Sequence, residues 1–66
     1  MTKDEVLAKV EVIRGLAGDA ESAHAEEDSL HMHVLAAIVD GFCVEPELCA
    51  KAVLSTMLID FPRWYA

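Results

Sequence analysis

The chain has 66 residues, of which five are Lys or Arg and twelve are Asp or Glu, for a formal net charge of -7, and 55% of them are hydrophobic. That length accommodates one small domain over residues 1–66 and excludes a two-domain enzyme built around a buried cofactor cleft. The acidic balance repels phosphate backbones and anionic bilayers, so the expected partners include neither nucleic acid nor membrane.

Thr2 followed by Glu5 forms a capping box, and Val6, Leu7, Val10, Ile13 and Leu16 recur at steps of three and four. A first amphipathic helix is expected over 2–17, with Gly18 as a left-handed stop. Asp19 can cap a second helix over 20–40, which no breaker interrupts before Gly41. Its first half is acidic, and Leu30 to Val39 is apolar on nearly every side, so the helix is expected to begin in solvent and end enclosed.

Phe42 to Glu45 then turn the chain, and Pro46 suits the first position of a third helix over 46–58. Only Lys51, Ser55 and Thr56 are polar in its central stretch, which predicts a helix buried nearly all round. Ile59 to Ala66 carry Phe61, Trp64 and Tyr65 in a short aromatic turn, expected to pack rather than fray. The expected fold is therefore all-α: three helices with a short aromatic C-terminal turn.

A mean hydropathy of +0.32 is high for so small a chain, whose surface is large relative to its volume. An apolar surplus of this kind is normally buried against another chain. A helical homodimer is expected, joined through Leu35, Ile38, Val53, Leu54, Met57 and Leu58 at the end of helix two and along helix three. Cys43 and Cys49 match neither a zinc knuckle nor a Cys-x-x-Cys redox motif, and reduced thiols are expected. With no apolar leader, and a longest apolar run of Val34 to Val39, the expected compartment is the cytoplasm.

For chemistry, His24, Asp28 and His31 share one helical face at i, i+4 and i+7, with Glu27 four residues before His31. Imidazoles and a carboxylate at that spacing can chelate a divalent transition metal, and a two-fold dimer would double the ligands. The plainer reading is a solvated polar face, since one helix supplies at most three ligands. His31 and His33 point about 200° apart on a helix and cannot share one ion. No Gly-x-Ser-x-Gly elbow and no phosphate-cradling glycine loop are present, so neither an enzyme nor a cofactor is expected.

Two features suit protein recognition. Residues 15–40 carry six carboxylates and no Lys or Arg, among them Glu26, Glu27 and Asp28, a field able to steer a basic partner. Arg63, Trp64 and Tyr65 have the composition of an interface anchor, and suit equally a lid over the core. A minimal helix-turn-helix would make 47–57 the recognition helix, but Lys51 is its only cation.

Glu27-Asp28-x-Leu30-His31-x-x-Val34-Leu35-x-Ala37-Ile38-x-x-Gly41, with Ile59-Asp60-Phe61-x-Arg63-Trp64-x-Ala66, resembles short uncharacterised proteins of proteobacterial genomes and their prophages. The resemblance covers about the last two-thirds of the chain, and residues 1–20 depart from it. It implies a phage-type accessory protein that binds a host or phage protein, and it assigns no catalytic or ligand-binding position. The sequence thus points to a non-enzymatic protein-interaction module, an inhibitor or adaptor, with a metal-binding oligomer as the alternative and a helix-turn-helix regulator behind it.

Overall fold

A computed structural model describes residues 1–63, and it is all-helical over that span: α1 is Lys3–Gly15, α2 is Ala20–Val39, α3 is Pro46–Leu54, and a 3₁₀ turn covers Ser55–Leu58. Trp64 and Tyr65, and with them most of the expected aromatic turn, lie outside the described residues.

The helix starts follow local chemistry. Thr2 accepts from the Glu5 backbone N–H while the Glu5 carboxylate accepts from the Thr2 N–H, so the expected capping box forms. Asp19 caps α2 by accepting from Ser22 N at 3.3 Å and from the Ser22 hydroxyl at 2.8 Å. These two bonds hold the Asp19 carboxyl below its usual pKa. Pro46 opens α3 at a position where a missing N–H costs nothing.

The helix ends divide. Gly41 reverses the chain after α2 with φ 77°, and the Gly41 N–H donates to Ile38 O while the Phe42 N–H donates to Ala37 O. That pair of bonds is the Schellman pattern, which only an achiral residue enters without strain. Gly18 does not play the same part after α1, contrary to expectation. The helix ends at Gly15, and Leu16, Ala17 and Asp19 N–H groups close successive tight turns onto Ile13, Arg14 and Leu16 carbonyls. Those carbonyls are satisfied without a left-handed residue.

The third helix is shorter than its apolar pattern suggests. At Ser55 the hydroxyl donates to Ala52 O, and the backbone tightens from α-helical to 3₁₀ winding. The chain then leaves in an extended conformation at Ile59. Ile59 and Phe61 fold back and are buried with Val6, Val10 and Ile13 of α1, Ala23, Leu30 and Val34 of α2, and Cys49 and Val53 of α3. The N-terminus is tied to the α2–α3 loop, with the Met1 amino group donating to Phe42 O at 2.7 Å and Val44 N to Met1 O at 2.9 Å.

Two expectations about burial are not met within the single chain. The end of α2 is not enclosed: Leu35 is 61% and Val39 84% exposed. Helix α3 is not buried all round either, because only one side of it reaches the core and Leu54 stands 61% exposed. With three helices, each can touch its neighbours along one stripe, and the other stripe faces outward whatever its composition.

Candidate interaction surface

Two features dominate the side of the molecule where α2 meets α3: a buried polar network and, beside it, an open apolar groove. The network starts at Glu27, which occupies the core-facing stripe of α2 with Ala23, Leu30 and Val34 at helical spacing. A carboxylate there is only 4% exposed, and burying it unpaired would be prohibitive. Arg63 supplies the partner, with Nε donating to Glu27 Oε1 at 2.9 Å and Nη2 to Oε2 at 3.0 Å.

The same guanidinium also closes the C-terminal segment onto itself. Arg63 Nη2 donates to Thr56 O at 2.9 Å and Ile59 O at 3.1 Å, and Nη1 to Phe61 O at 3.2 Å. The cation lies over the Phe61 ring, 3.9 Å from its centroid. Thr56, fully buried, gives its one hydroxyl proton to Glu27, so its oxygen accepts from His31 Nε2–H at 2.8 Å. Every buried polar side-chain atom among the described residues has a partner. Burial pushes the Glu27 carboxyl pKa up, but the Arg63 and Thr56 hydrogen bonds and the Arg63 charge outweigh it and hold it below the usual range.

The groove runs alongside. His31, Val34, Leu35 and Ile38 of α2 and Ala50, Val53 and Leu54 of α3 line it. Val34 and Val53 form a buried floor, and Leu35 and Leu54, each 61% exposed, form the two rims. No Asp, Glu, Lys or Arg lines it. The network anchors both walls, since His31 belongs to the groove and Thr56 lies in the 3₁₀ turn that continues α3. The grooves on the other two helix pairs differ in kind: Lys9 and Glu26 line the one between α1 and α2, and Lys3 and Lys51 the one between α1 and α3.

Against this geometry the expected site residues separate. Glu26 and Asp28 are exposed, as a recognition face requires, but Glu27 between them is turned inward to Arg63. Those two residues, expected to meet a partner, spend their charges on each other. Asp28 lies 3.5 Å from His24 Nε2, one helical turn away, while His31 turns its Nε2 to Thr56. The candidate metal triad is therefore not assembled, and no group of three or more potential ligands converges among the described residues. Of the expected interface, Leu35, Leu54, Met57 and Leu58 are exposed and Ile38 is half-buried, but Val53 belongs to the chain's own core.

Thr56 was not among the sequence-derived candidates. Its signal was weak, one of two adjacent hydroxyls in an otherwise apolar stretch. Glu27 carried a clearer one: it keeps register with Ala23, Leu30 and Val34, whereas Glu26 and Asp28 fall off that stripe. Cys43 and Cys49 are free thiols, and burial, with Cys43 alongside, raises the Cys49 pKa. No described helix is long and apolar enough to cross a membrane. Comparison with protein-family models, with curated proteins and with solved structures returned no match.

Proposed function

We propose that this chain is a non-enzymatic protein-interaction module of the phage-accessory kind, and that its contact surface is the groove between α2 and α3. The observation that carries this reading is the groove itself: free of Asp, Glu, Lys and Arg along its lining, floored by core residues and rimmed by two Leu side chains more than half exposed. Large exposed apolar patches on small proteins mark interaction sites. The acidic start of α2, with Glu21, Glu26 and Asp28 outside, supplies steering and solubility rather than the anchor.

The test uses the purified chain immobilised as bait against lysate of its host, beside a Leu35→Glu variant. Leu35 is exposed enough for the variant to fold, which far-UV circular dichroism checks. A stoichiometric protein retained by the wild type and lost by the variant supports the groove. Equal retention by both moves the contact to another face.

A further inference from the structure

Resting on the groove as the contact surface, we infer that its occupant is a second copy of this chain, packed about a two-fold axis with the two α2 helices antiparallel at Leu35. Area, shape and charge point to this occupant.

Met32, Leu35 and Val39 recur at i, i+3 and i+7 and form one outward ridge on α2, 71%, 61% and 84% exposed. Leu54 and Leu58, 61% and 83% exposed, continue the apolar surface from α3 into the 3₁₀ turn. Five such side chains, each exposing on the order of 100–150 Å², supply the greater part of the roughly 800 Å² that a stable dimer buries per copy. Ridge and groove also lie side by side on one face, sharing Leu35. A two-fold axis requires a patch that contacts itself, and a ridge bordering its own groove meets that requirement.

Charge selects the orientation. The outward stripe of α2 that holds Met32, Leu35 and Val39 continues toward the N-terminus through Asp28 and Glu21, with no Lys or Arg anywhere on the helix. Parallel packing would set each Asp28 against its equivalent. Antiparallel packing centred on Leu35 separates the two Asp28 positions by fourteen residues of rise, about 21 Å, more than two screening lengths at physiological salt. The acidic halves then project from opposite ends of the dimer.

Sedimentation equilibrium of the purified chain alone, up to about 100 µM in physiological salt, reads the first part. The expected mass is twice 7.2 kDa. Leu35→Glu and Leu54→Glu should each weaken self-association by roughly 100-fold or more with helicity kept, because a two-fold interface counts each substitution twice. A mass of 7.2 kDa across that range overturns the second copy as occupant; the groove reading survives that result if the bait experiment still retains a foreign protein through Leu35. Dimerisation insensitive to both substitutions overturns the placement.

Orientation is read by oxidation with copper phenanthroline, in a chain carrying Cys43→Ser. Leu35→Cys should give a disulfide-linked dimer and Asp28→Cys should not. A disulfide-linked dimer from both variants means parallel helices and overturns the arrangement, as does the absence of a link in Leu35→Cys.

Discussion

Glu27 shows how one residue's burial decides what its charge can do. Its side chain is 5% exposed and that of Arg63 25%, so the two ends of the pair are not equivalent. Removing the arginine strands a carboxylate in the core, whereas neutralising the carboxylate leaves a cation that still reaches water and three carbonyls. Arg63→Ala should therefore cost about 2–4 kcal/mol in urea unfolding, and Glu27→Gln only about 1–2 kcal/mol. Equal costs would mean that the pair is not buried in solution. The same pair sets an acid response. Because the folded Glu27 pKa lies below its unfolded value, the pair stabilises the fold above the ordinary carboxylate pKa of about 4.3, and this is lost as pH falls through the folded value. Urea midpoints followed from about pH 7 to pH 3 should fall less steeply in Glu27→Gln than in the wild type, with the Asp19 contribution common to both.

At the scale of the element, two glycines with similar surroundings predict opposite signs. A Cβ at Gly18 or at Gly41 would meet nothing within 4 Å, so neither substitution is governed by packing. Gly41 has φ 77° and closes α2, whereas Gly18 stays out of the left-handed region. Gly41→Ala should destabilise by about 1 kcal/mol, and Gly18→Ala should stabilise by roughly 0.4–1 kcal/mol through the unfolded chain. Thermal melts of the two variants against the wild type decide it, and a loss in both would show that the 16–19 turn needs glycine after all. The helix positions were legible in the sequence to within a few residues, because Thr2, Asp19, Gly41 and Pro46 each act on the backbone within a turn of themselves. The stop at Gly15 was missed by two residues, because Gly18 reads as a left-handed stop whereas the Leu16, Ala17 and Asp19 N–H groups close the helix before it is needed. Nor was the break at Ser55 legible, where the hydroxyl donates to Ala52 O as the helix passes into 3₁₀ winding.

The whole molecule adds what no single element contains: which apolar stripe faces inward. Val53 and Leu54 are neighbours with the same transfer preference, yet one is 5% and the other 61% exposed, because α1, α2 and the returning tail cover only one side of α3. Composition therefore revealed the surplus of apolar surface, and the topology placed it. The charge is likewise a property of the whole. With -7 spread over 66 residues, and six carboxylates without a cation between residues 15 and 40, self-repulsion opposes compaction. Screening it should help the fold more than it harms the exposed ion pairs, for Arg14–Glu11 is more than half exposed at both ends and contributes little. The Glu27–Arg63 pair, being largely withdrawn from solvent, is screened much less. Raising NaCl from about 10 mM to 150 mM shortens the screening length from about 30 Å to 8 Å, and the melting temperature should rise by several degrees, roughly 1 kcal/mol for a domain of this size. Protein concentration is held fixed in that series, because self-association adds a concentration-dependent contribution of its own. A melting temperature that falls with salt would mean that attractive surface pairs outweigh the net charge, and the acidic half of α2 would then be part of the fold's stability rather than a free surface.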